Sequence, residues 1–225
     1  MGTTTNPAGM LQPSTLWGVY NNLRFVIRQA LANVQTATVV QVVACSNDGG
    51  ISPVGTVDVL ILVNQISGQG IPTPHVTMYG LPYLRIQGGS NAVIIDPQPG
   101  DIGIAVFASR DITNVKTTKT QANPATFRTH DFADGMYLGG LLNGTPTAYV
   151  QFSDTGAVTV VSPSTITLQA PNIILKGALQ QTGGNATMSQ SLAVTEDVTA
   201  NGISLETHIH SGVTTGGGNT GEPVP

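Results

Sequence analysis

Near its end the chain reads Leu205-Glu206-Thr207-His208-Ile209-His210-Ser211-Gly212, so two of its four histidines stand at i and i+2. On an extended strand that spacing points both imidazoles to one face. Imidazole is a ligand for iron, nickel, copper and zinc. One chain offers two such ligands, too few to close a site. Three chains around an axis offer six, an octahedral nitrogen set. Structural zinc is almost always four-coordinate, so six ligands favour iron or another octahedral metal. The competing reading is two exposed histidines in a polar tail, because a bare His-x-His is a weak signal by itself. Leu205 and His208 also have opposite parity. Facing both to one axis requires a bulge or kink near Glu206-Thr207.

The other candidates for chemistry are poorer. Glu196 and Asp197 are adjacent, so a strand would point them to opposite faces, whereas a glycosidase needs a paired acid and base. His130 beside Asp131 has no nucleophile to activate, and His75, after Pro74, reads as structural. Cys45, the only cysteine, lies in an apolar run where an inert, buried thiol is the usual case. It rules out an intrachain disulfide or a Cys-based cluster within one chain. The glycines of Val213–Pro223 lack the Gly-Lys-Ser/Thr of a phosphate loop, and no Lys follows Lys176. They suit a tight apical fold. No catalytic centre is expected.

These residues belong to a chain of unusual composition. Of its 225 residues, 9% are charged and 5% aromatic, while 40% are hydrophobic. The net charge of −4 argues against binding nucleic acid through its phosphates. No apolar run is long enough for a membrane-spanning helix, and Met1–Asn6 lack the basic and apolar pattern of a signal peptide. Seven of the eight basic residues lie at or before Arg128, and the last aromatic residue is Phe152. All three glutamates fall after residue 190. The first two thirds therefore read as globular and the last third as fibrous.

Four stretches follow. Residues 1–13 are Gly-, Thr- and Pro-rich. Ser14–Asn33 reads as one helix capped by Ser14, with Leu16, Tyr20, Leu23, Val26, Ile27, Ala30 and Leu31 on one face. That face is expected to pack on its own domain or on a neighbouring subunit. Strand-like runs at Ala37–Ala44, Thr56–Val63, His75–Tyr79, Tyr83–Gln87, Ala92–Ile95 and Ile102–Ala108 alternate with turn signals, which suits a small OB-fold barrel. Beyond residue 145, Val158 with Val160, Ile166 with Leu168, Ile173 with Leu175, and Ile203 with Leu205 alternate with polar residues.

A tail of short strands without large side chains cannot build a core alone. Three interwound copies would bury their inward faces along a common axis and pair every strand edge. The expectation is a homotrimer with an intertwined β-needle, in preference to a monomeric solenoid.

Three segments carry a resemblance. Asp96–Asp111 (DPQPGDIGIAVFASRD), His130–Gly140 (HDFADGMYLGG) and, most specifically, Val198–Pro223 (VTANGISLETHIHSGVTTGGGNTGEP) resemble the central spike, or baseplate assembly protein V, family of contractile phage tails. The resemblance implies a mainly β chain: an N-terminal helix, an OB-fold barrel and a C-terminal intertwined trimeric β-helix. The corresponding divisions are 1–35, 36–135 for the barrel, 136–206 for the shaft and 207–225 for a metal-binding apex. It further implies one iron ion per trimer, held by His208 and His210 from each of three chains. The implied location is the baseplate tip of a virion, with hub and tail-tube proteins as partners and the host outer membrane as the target. The implied role is piercing, without enzymatic activity. A trimeric receptor-binding fibre tip is the alternative, weakened by the lack of aromatics after Phe152.

Overall fold

Alternating valines set the first strands. In Thr56–Ile61 (β2), Val57, Val59 and Ile61 are buried, while Thr56, Asp58 and Leu60 face outward. In Ala37–Cys45 (β1), Val40 and Val42 are buried. This is the period-two pattern of a sheet with one covered face. The computed structural model describes residues 18–67, 70–212 and 216. It is mainly β with a short N-terminal helix, and it divides into two units, residues 1–163 and 164–225, each taken by itself below.

The first unit opens with Val19–Ala32 (α1). The helix begins later than the expected Ser14 because Gly18 takes a φ of 106°, which no α-helical residue adopts. The Ser14 cap lies outside the described residues. After β1 and β2 come the small hairpin Gln65–Ile66 (β3) with Pro72–Thr73 (β4), then Met78–Pro82 (β5), the hairpin Ile86–Gly88 (β6) with Asn91–Val93 (β7), and Ile102–Phe107 (β8). The expected strands at 75–79, 83–87 and 92–95 are thus displaced by about three residues or shortened. Gly135–Gly140 (β9) carries the sheet past residue 135, the expected end of the barrel.

The main sheet is antiparallel throughout, in the order β5-β2-β1-β8-β9. Register shifts within the β1–β2, β2–β5 and β8–β9 pairs bend it into a curled half-barrel. A bridge between Tyr83 and Tyr137, and a 2.8 Å hydrogen bond from the Leu84 N–H to the Tyr137 carbonyl, bring the far end of β5 to β9. Val40, Val42, Val57, Val59, Leu81 and Tyr137 pack inside. Gly103 in β8 has no alternative, since a Cβ there would collide with the Gly139 carbonyl and the Tyr137 ring.

Two buried ionic clusters tie the loops to this core. Asp96 accepts from the Tyr83 hydroxyl at 2.5 Å, from Arg85 Nη2 at 2.7 Å and from the Gly49 N–H at 3.0 Å. Asp134 accepts from Arg128 Nε at 2.6 Å and from the Ile112 N–H at 2.9 Å. Asp111 accepts from Arg128 Nη2 at 2.8 Å and from the Thr126 hydroxyl at 2.7 Å. These donors hold all three carboxyls below the usual carboxylate range: the Tyr83 hydroxyl and Arg85 for Asp96, Thr113 and Thr126 for Asp111, and Arg128 for Asp134. A depressed native pKa contributes stability above the unfolded value of about 3.9, and that stability is lost as pH falls further. The urea midpoint of this unit should therefore be nearly flat from pH 8 to about 5 and fall steeply below about pH 4. A midpoint that rises on acidification would refute the assignment.

Tyr149–Phe152 (β10) and Val158–Val161 (β11) form a separate hairpin. One face of it is open: Val150, Phe152, Val158 and Val160, which share that face, are all exposed.

The second unit has a different character. Among its described residues none is buried, and Ser204 alone is half-buried. Ile166, Leu168, Ile173, Leu175, Leu192 and Leu205 all stand in solvent. From Ser164 to Val198 the chain forms no strand with itself, although the alternation predicts strands there. The one ladder among its described residues is Thr199–Ala200 (β12) with Ile203–Ser204 (β13).

Candidate metal centre

The last ladder is a two-residue hairpin. Asn201 and Gly202 join β12 to β13 with φ of 49° and 80°. Positive φ at both central positions is what a type I′ turn requires, and Asn-Gly is its preferred pair. Thr199 faces Ser204 and Ala200 faces Ile203. The Leu205 N–H extends the pairing with a 2.8 Å bond to the Val198 carbonyl.

The strand then stops. Residues 205–207 form a turn. The Glu206 N–H donates to Asp197 Oδ1 at 3.1 Å, and the Thr207 N–H donates to Ser204 Oγ at 2.9 Å. Short polar side chains thus take backbone donors that a continuing strand would have used. The Ser204 side chain, with the N–H groups of Glu206, Val198 and Leu205, holds the Asp197 carboxyl below its ordinary range. The break falls at the Glu206-Thr207 position that strand parity required.

His208 and His210 follow directly. Their ring centroids are 5.1 Å apart with planes at 80°, and both side chains are exposed. His208 Nδ1 lies 3.1 Å from the Leu205 carbonyl oxygen. A carbonyl only accepts, so this contact is a hydrogen bond with Nδ1 as the donor. Fixing one ring nitrogen on a backbone carbonyl is the usual way a ligating histidine is oriented. Two neighbouring imidazoles, one oriented by a backbone carbonyl, are donors of the kind a metal takes. Among the described residues no group of three His, Cys, Asp or Glu side chains comes together within one chain. A metal held by this pair would need further ligands from elsewhere.

The remaining histidines serve the fold. His75 meets the Phe132 ring edge-on at 5.5 Å. His130, at a φ of 50°, approaches the Gln35 carbonyl with Nδ1 at 3.2 Å and accepts from the Gln35 N–H through its own carbonyl. Cys45 is half-buried at the end of β1 and packs against the core. Asp197 escaped the sequence reading as an apex residue. Its separation from Glu206 hides the contact, although the Asn-Gly pair between them signals the hairpin that creates it.

Residues 202–224 match the family model described as the GpV Apex motif. Both histidines lie within the matched span. No curated protein matches the chain. The match likens this segment of the chain to that apex motif.

Proposed function

We propose that this chain, whose apex motif supports the phage baseplate assembly protein V or central spike family, is the structural central spike of a contractile tail baseplate. In this reading it acts as a homotrimer at the baseplate tip of the virion, below the hub and tail-tube proteins. Sheath contraction drives it through the host outer membrane, and it performs no catalysis. One observation carries the reading: the apex motif, with both histidines, closes a unit whose described apolar side chains are all exposed. Such a unit is unstable alone and becomes stable when identical copies cover Ile166, Leu168, Ile173, Leu175 and Leu205. The sheet order β5-β2-β1-β8-β9, with β5 returning to β9 at Tyr83 and Tyr137, supports an OB-type barrel in the first unit.

The mechanical role sets what each residue does. A piercing tip must not fray, and chain ends are where fraying starts. Asn201-Gly202 reverses the chain tightly. Ser204 and Asp197 hold the turn that follows, which frees His208 and His210 from strand alternation. His208 Nε2 and the His210 imidazole from three chains are the proposed ligand set for one iron ion. When bound, that ion cross-links the three chain ends and fixes their register, with free energy available only to the assembled trimer. The histidines then hold the apex, and the turn keeps them pointed inward.

Immunogold labelling of extended and contracted particles with antibody to this chain tests the role. Gold is expected under the centre of the extended baseplate, at the leading end of the tube. Gold on peripheral fibres would overturn the spike reading in favour of a receptor-binding tip.

A further inference from the structure

The helix α1 is an element that the spike reading leaves unused. It has no side-chain hydrogen bond at its N-cap, Gly18, and none of its residues is buried. A helix of 14 residues with no side-chain N-cap and only three half-buried residues is marginal in water. Its apolar residues are nevertheless ordered along the axis. Tyr20, Leu23, Ile27 and Ala30 follow a 3-4-3 spacing that Val34 continues, which is a heptad seam. Tyr20 is 73% exposed, Leu23 56% and Ile27 48%. Val19 and Val26 flank the seam on one side and Leu31 on the other, and they are exposed too. Asn21, Phe25 and Gln29, on the opposite side, are half-buried within the chain. The helix thus turns its polar-rich side inward and presents its seam outward.

We infer that α1 packs its seam against the α1 helices of two further copies of this chain, as a parallel three-stranded bundle; this rests on the trimeric reading above. Three features select a copy of the chain as the occupant. The seam positions carry no charge, so identical helices meet without repulsion. Its width, extended by Val19, Val26 and Leu31, exceeds the narrow line that two helices cover. The two cations, Arg24 and Arg28, avoid one another: in a parallel bundle Arg24 lies beside the neighbour's Val19, where its stem covers apolar surface, and Arg28 points away. Two heptads would not associate alone. Three helices tethered to one trimer meet at a millimolar effective concentration, which is enough for a short seam.

The test uses the full chain with Cys45→Ser, carrying either Ile27→Cys on the seam or Arg28→Cys off it, and a short bismaleimide cross-linker. Native mass is measured in parallel. Ile27→Cys is expected to link chains at least tenfold faster than Arg28→Cys. Trypsin adds a readout on the unaltered chain, where Arg24 and Arg28 should resist cutting. A trimer in which the two cysteine variants link equally, or in which trypsin cuts at Arg24 and Arg28 as in a denatured chain, overturns the bundle alone. A native mass of one chain overturns the trimeric reading and the bundle with it.

Discussion

Replacing His208 with alanine is expected to strip the apex of metal and open the chain end, while unit 1 keeps its unfolding transition. Coordinated structural metals contribute on the order of 10 kcal/mol in small modules. The tip should lose most of such a term, because the single substitution removes three of six proposed ligands. Glu206 provides a local reporter. It sits in the turn beside His208, and in the proposed trimer a glutamate-specific protease would cut it faster once the apex frays. Cutting at Glu206 should accelerate at least tenfold, equivalent to about 1.4 kcal/mol of local opening. His210→Ala should do the same. The double variant should add little, since residues that act as one site are strongly non-additive. Unchanged cutting and unchanged metal content in His208→Ala would dismiss the histidine pair as a site.

The second large effect belongs to unit 1. Asp134→Ala should destabilise the half-barrel by about 3 kcal/mol, the low end for breaking a buried ion pair. Its side chain is fully buried, with Arg128 Nε at 2.6 Å and the Ile112 N–H at 2.9 Å. Removal leaves that N–H without its acceptor and Arg128 with only Asp111 and the Thr113 hydroxyl. The low end applies because the Arg128 side chain is 31% exposed, so water takes up part of the loss. Asp134→Asn keeps an acceptor for Ile112 and should cost less. Urea unfolding of the full chain, followed by tyrosine fluorescence, reads both. An Asp134→Ala midpoint equal to the original would show that the cluster is not structural.

How much of this the sequence revealed depends on the range of the interaction. Val57, Val59 and Ile61 alternate in plain view, and β2 lies where the pattern puts it. Gly135–Gly140 does not read as a strand, because Met136, Tyr137 and Leu138 sit among glycines. It pairs with β8 through space that Gly103 leaves open, and no local pattern carries that fact. The buried carboxylates were hidden for a related reason. Asp96 and Asp111 stand out in a motif, but their cations, Arg85 and Arg128, come from other loops. At the apex, parity between Leu205 and His208 required a break, whereas the groups that make it, Asp197 and Ser204, emerge only once Asn201-Gly202 has folded the hairpin. The second unit shows the limit most clearly. Its alternation is evident, yet one chain forms no strand from 164 to 198, because an alternating segment without neighbours has nothing to pair with.

Metal content and native mass, measured together on purified protein without a histidine tag, bear most directly on the central claim. The expected result is a mass of three chains with one iron per three chains, and release of that iron in His208→Ala. A trimer without metal, one metal per chain, or a mass of one chain would each contradict a shared six-histidine tip.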